Sequence, residues 1–223
     1  TVQAILKDDT LQENNVEVAE LNNRQPGLPR YFMDFERHSM GQYGGQAYNT
    51  DDVQGWKRTP TPPGPGNYGW HVQCGPAPYI DGMPPIPPAP PTGPSGDHTL
   101  GNTFQNGRGC YMMVETDIKS DPPELKDDAL LELPCGPIDF SNSKNNKILL
   151  SYYYHMFGDK MGDLFVDVYD GIGWIDRIDA IRGSQQFDDT ERWKRRQIPL
   201  DRWAGNSNVR IRFRAEWKGR SGD

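Results

Sequence analysis

The chain has 223 residues, of which 35% are hydrophobic, with 24 glycines and 20 prolines. That length suits one domain with extensions, and the glycine and proline content favours short strands joined by long turns over packed helices. A formal charge of −7, from 24 basic and 31 acidic side chains, argues against nucleic-acid binding by overall electrostatics, and no apolar run approaches the roughly 20 residues that a membrane span needs.

Residues 1–30 read as a polar N-terminal arm or linker. Val2, Ala4 and Leu6 alternate there, as do Val16 and Val18, so short strands fit the pattern. Such an arm either joins an earlier domain or adds a strand to a neighbouring subunit, where an unpaired strand finds its hydrogen bonds. No signal peptide is present, and Thr1 would fit a mature terminus exposed by cleavage. A globular unit is expected over 31–223. It opens with Asp34-Phe35-Glu36, where one face points inward and the other stays polar, and Trp56 and Trp70 follow among turn residues. Pro84-Pro85-Ile86-Pro87-Pro88-Ala89-Pro90-Pro91 lacks the backbone N–H groups that an interior strand or helix requires. The insert at about 84–94 is therefore expected as an exposed polyproline II loop, either a stiff connector or a rod for aromatic grooves and subunit packing.

Three cysteines allow one disulfide. Cys110 and Cys135 flank the apolar runs Tyr111–Val114 and Ala129–Leu133. If those runs form a hairpin around Asp121-Pro122-Pro123, the two cysteines meet; otherwise both are core thiols, and Cys74 is free or pairs with another chain. Beyond Asn145 the period of two is plain. Leu150, Tyr152, Tyr154 and Met156 share one face, Leu164, Val166 and Val168 another. Val209, Ile211, Phe213, Ala215 and Trp217 alternate with Arg210, Arg212, Arg214 and Glu216. No segment has the pattern of an amphipathic helix, so the expected class is all-β, built of half-buried antiparallel strands.

Four phrases stand in order: Gly93-Pro94-Ser95-Gly96-Asp97-His98-Thr99, then Gly109-Cys110-Tyr111-Met112-Met113-Val114-Glu115, then Ala129-Leu130-Leu131-Glu132-Leu133-Pro134, then Leu150 to Val166 with Tyr154-His155-Met156 and Met161-Gly162 inside it. Together with Asp34-Phe35-Glu36 and Trp193 they resemble the MAM domain family of meprins, neuropilins and receptor tyrosine phosphatases. The resemblance implies a two-sheet antiparallel jelly-roll β-sandwich, here with an extended N-terminal arm and a proline-rich loop. Its closing Gly-Asp-Ile-Ala-Ile-Asp-Asp phrase is represented here only by Gly222-Asp223; if the parent protein continues, Asp223 opens that phrase, and otherwise the final family strand is expected to be missing. It also implies a calcium ion tying the first strand to a loop acid and the last strand, with Glu36, Asp97 and Asp223 as ligands. Hard cations want several oxygens at once, so a site short of its later acids would be incomplete. The plainer role for Glu36 and Asp97 is capping turns by accepting from backbone N–H groups.

Arg210, Arg212 and Arg214 belong to a basic stripe over 191–220 that would suit an acidic glycan, a polyanion or an acidic patch on a neighbouring subunit; as a solvated strand face it would instead discourage edge pairing. The four histidines are scattered and match no zinc-helix spacing, no Gly-x-Ser-x-Gly elbow occurs, and Asp127-Asp128 and Asp188-Asp189 sit in turn-like contexts. No catalytic residue is nominated. Trp174, Trp193, Trp203 and Trp217 could form a sugar platform, although Trp193 resembles a core tryptophan of the family. The expected function is a non-catalytic extracellular or cell-surface module for adhesion or self-assembly, with a protein partner, homotypic or neighbouring. A glycan-binding module and an accessory domain of a larger secreted enzyme are the alternatives.

Overall fold

A computed structural model describes residues 20–23, 35, 56–59, 69–74, 93–94, 96–99, 109–114, 128–132, 137–143, 147–158 and 161–216. Ten strands are described: β1 (Glu20–Asn23), β2 (Lys57–Thr59), β3 (Trp70–Cys74), β4 (Cys110–Val114), β5 (Ala129–Glu132), β6 (Ile148–Tyr154), β7 (Asp163–Tyr169), β8 (Trp174–Arg182), β9 (Lys194–Pro199) and β10 (Arg210–Glu216). Every ladder is antiparallel. The chain is all-β, as the alternation predicts. Its described ladders form three sheets, ordered β1-β6-β9, β2-β5-β10-β7-β8 and β3-β4, where two were expected.

The core lies between the three-stranded and five-stranded sheets. Leu150 and Tyr152 of β6 are buried, as are Val166 and Val168 of β7 and Ile211 and Phe213 of β10. Burying each of these contributes roughly 1.5–3 kcal/mol. Tyr152 meets Phe213 edge-on at 5.0 Å between ring centroids, which joins the sheets at their middles. Their flanks are joined by Asp179 on β8, which accepts from Arg196 Nε of β9 at 2.8 Å and from the Tyr152 hydroxyl at 3.2 Å.

Three expectations change. Trp56 and Trp70 are not turn residues: Trp56 is buried beside β2, 6.0 Å from the Phe213 ring, and Trp70 opens β3. The runs at 111–114 and 129–133 do not form a hairpin. β4 pairs with β3, whereas β5 is enclosed between β2 and β10 in another sheet. The arm also contributes to its own chain, because β1 lies along β6 with Leu21 opposite Leu150. The proline-rich segment 84–92 lies outside the described residues.

Candidate functional site

Three of the four family-like phrases meet around Trp193. Trp193, which precedes β9, donates from Nε1 to the Gly96 carbonyl at 3.0 Å and so ties the Asp97-His98-Thr99 turn to the sandwich. Tyr111 of β4 meets the same indole edge-on at 5.3 Å, and His155, just past β6, approaches it at 5.8 Å. His98 stacks on Tyr153 at 3.7 Å, and the Arg195 guanidinium lies 5.9 Å from that tyrosine ring. Gly109 precedes β4 at φ 89°, in the left-handed region where a Cβ is strained, which accounts for glycine at the head of that phrase.

These histidines are kept neutral. Burial pushes the His98 pKa down to about 4, and Arg195 adds to the effect. Burial also brings His155 to about 4, against the opposing pull of Glu191, Asp189 and Asp188. A neutral, packed imidazole is suited to ordering a loop. Beside this joint, a cavity of about 150 Å³ lies among Trp70, Met112, Tyr154, Met161 and Trp193. Its walls are mostly apolar side chains of the core.

Of the expected cation ligands, Asp97 is buried, and its Oδ2 accepts from the Thr99 N–H at 3.1 Å. That is the turn-capping role. Glu36 and Asp223 lie outside the described residues. No group of three metal-capable side chains occurs among the described residues, and one carboxylate cannot satisfy a cation that takes 6–8 oxygens.

Within the basic stripe, Arg212 and Arg214 turn inward, whereas Arg192, Lys194, Arg195, Arg196, Arg202 and Arg210 are exposed. Asp167 of β7 is fully buried and accepts from Arg212 Nε at 2.8 Å, Arg214 Nε at 3.0 Å and the Arg177 N–H at 2.8 Å. Arg212 also reaches Asp176 at 3.1 Å, Arg214 reaches Asp128 at 2.9 Å, and Arg210 lies 3.6 Å from Glu132. Burial raises the Asp167 pKa, but hydrogen bonds from Arg214, from the Arg177 N–H and from Arg212 outweigh it and hold the carboxyl below its ordinary value. The guanidinium groups also roof the outer aromatics: Arg214 and Arg177 lie 4.6 and 4.7 Å from the Phe165 centroid, Arg212 4.0 Å from Trp174, and Arg210 5.5 Å from Tyr169. Arg214 is itself buried, so it offers no face to a polyanion, and the charges of Arg210 and Arg212 are matched within the chain.

The other candidates are likewise occupied. Asp188 caps its own turn, with Oδ1 accepting from the Thr190 hydroxyl at 2.7 Å and from the Thr190 and Glu191 N–H groups at 2.8 and 2.9 Å, and these bonds, the hydroxyl's first, hold its pKa down. Trp203 is buried, Trp193 is built into the loop joint, and Trp174 is covered by Arg212. Trp217 lies outside the described residues. Cys110 is disulfide-bonded. The ladder places Cys74 directly across from it, whereas Cys135 lies outside the described residues.

Two exposed large apolar residues among the described residues were not foreseen. Ile172 and Phe187 are 93% and 91% exposed. An apolar residue between a glycine pair (Gly171-Ile172-Gly173) and one inside a polar run (Gln185-Gln186-Phe187-Asp188-Asp189) were the signals available.

Comparison with protein families matches residues 33–223 to the MAM domain, meprin/A5/mu. The chain belongs to the MAM family. No curated protein and no solved structure matches it. MAM modules are extracellular, adhesion-type and non-catalytic as a family, and they mediate protein interactions. No helix among the described residues is long and apolar enough to cross a membrane.

Proposed function

We propose that this MAM module is a non-catalytic extracellular building block that mediates adhesion or self-assembly through a protein partner. The observation that carries this reading is the way Phe187 is held. Its ring is 91% exposed. The turn beneath it is fixed, because the Phe187 N–H donates to Glu191 Oε2 at 2.5 Å, Asp188 caps the next residues, and Gln186 Oε1 accepts from the Met156 N–H at 2.8 Å. A lone exposed apolar side chain is ordinary on a protein surface. One on a pre-ordered turn loses little entropy on docking, which is what a binding anchor requires. Ile172 is presented in the same manner at the tip of the β7–β8 hairpin, where Asp170 Oδ1 accepts from the Ile172 and Gly173 N–H groups.

Calcium belongs to this proposal as an ordering ion for the end where Asp97 sits, with Glu36 and Asp223 as its further ligands. The test is the molar mass of the full chain by light scattering, in calcium and in chelator, beside Phe187→Ser and Ile172→Ser. Growth beyond a monomer that either substitution abolishes supports adhesion through these anchors. Loss of that growth in chelator supports the ion. A monomer in every condition removes homotypic assembly and favours the glycan-binding alternative, which a glycan array would then examine.

A further inference from the structure

β6 reads Ile-Leu-Leu-Ser-Tyr-Tyr-Tyr, with no charge, proline or glycine, and Ile148, Leu150, Ser151 and Tyr152 are all buried. A strand of this composition with an open backbone edge is a ready template for pairing with other chains. One side of β6 is covered by β9 from Leu149 to Tyr154. The other side is covered by β1, and β1 lies before residue 33, where the family match begins. The module therefore obtains part of the cover for this uncharged strand from a segment outside the family match.

Among the described residues, that cover runs from Glu20 opposite Ser151 to Asn23 opposite Ile148. Residues 24–34 connect β1 to Phe35 in the core, and such a tether can reach on the order of 40 Å when extended. A strand on that tether can make the same backbone bonds to its own β6 or to that of an adjacent copy, which is the geometry of a strand swap.

We propose that β1 is an exchangeable strand, and that in the assembled state the β1 of one copy covers the β6 edge of the next. This rests on the self-assembly reading and names its occupant, a second copy of this chain. Because the strand and the edge it covers are different surfaces, the contact is head-to-tail, and it builds an open filament unless the rotation closes a ring.

The test uses Asn22 and Leu149, which are register partners. Opposed residues of an antiparallel pair lie within disulfide reach. Full-length Asn22→Cys and Leu149→Cys chains are mixed, oxidised and peptide-mapped, with the double variant N22C/L149C run alone and melting curves taken for each. The expected result is a covalent species of doubled mass carrying a 22–149 link in the mixture. A link found only within single double-variant chains, with none in the mixture, makes β1 a fixed part of its own module and overturns the proposal. Absence of the link in every sample overturns it as well, because β1 would not lie on β6. If light scattering still shows growth in either case, self-assembly stands and uses another surface. If the chain stays monomeric, both readings fall.

Discussion

Replacing Asp167 with Asn tests whether the arginine roof is structural. The carboxylate is fully buried and receives bonds from the side chains of Arg212 and Arg214 and the backbone of Arg177. Removing one partner of a buried ion pair costs about 3–5 kcal/mol, because the opposite charge stays desolvated. Here Arg212 retains Asp176 and Arg214 retains Asp128, and the new amide still offers one acceptor, so the expected cost is about 3 kcal/mol, the lower end of that range. Urea unfolding followed by tryptophan fluorescence at pH 7 should show a lower midpoint with an unchanged slope. A second observable comes from protonation. The Asp167 pKa is lowered in the folded state, so its contribution is present above the unfolded value near 3.9 and is lost as pH falls through the folded value. The gap between wild type and Asp167→Asn should therefore narrow in strong acid. A cost below about 1 kcal/mol at pH 7, the scale of an exposed ion pair, would refute the argument.

Three further outcomes follow from the geometry. His71 is buried, and burial first, then the nearby Arg58, lowers its pKa to about 4 against the Gly69 carbonyl. The unfolded chain then binds this proton first as pH falls from about 6.5, so roughly 2 kcal/mol of stability should be lost through His71 by pH 5, and His71→Gln should remove that share of the pH dependence, leaving the shares of His98 and His155. Trp193→Phe removes the donor to Gly96 and should cost roughly 1–2 kcal/mol, with faster amide exchange at Asp97–Thr99 as the specific sign. Peptide mapping under non-reducing conditions should find Cys110 joined to Cys74, its opposite in the ladder; a Cys110–Cys135 peptide would show that the register at β3–β4 is wrong.

The sequence exposed β6, β7 and β10 because each carries a long period of two, and each sits inside a sheet where that period decides burial. β1 was hidden in Glu-Leu-Asn-Asn, a polar segment that becomes a strand only through β6. β2 is three residues, Lys-Arg-Thr, between a tryptophan and a proline, too short for any pattern. β8 escaped because Asp176, Arg177 and Asp179 interrupt its apolar residues, and the ladder bulges where Arg177 takes φ 56°. The arginine alternation in β10 was legible as two faces. What those arginines meet was not, because Asp167 and Asp128 lie 45–86 residues away along the chain. The candidate cation ligands were legible only by family likeness, and of the three only Asp97 is among the described residues.

The two ends of that misreading point to one division of labour. A guanidinium stacked on a buried aromatic and paired with a carboxylate cannot also bind a partner without breaking both contacts, so the inner arginines of β10 serve the fold even though their pattern suits a surface. The same holds for the histidine and tryptophan of the loop joint, whose ring contacts hold the Asp97 turn in place. Residues able to engage a partner at little cost are those whose backbone is fixed while the side chain stays exposed. Phe187 and Ile172 meet that description, and neither lies in a phrase by which the family is known. In this chain, then, the recognisable phrases build the scaffold, and the contacts proposed for a partner lie on the turns between strands and on the strand that precedes the module.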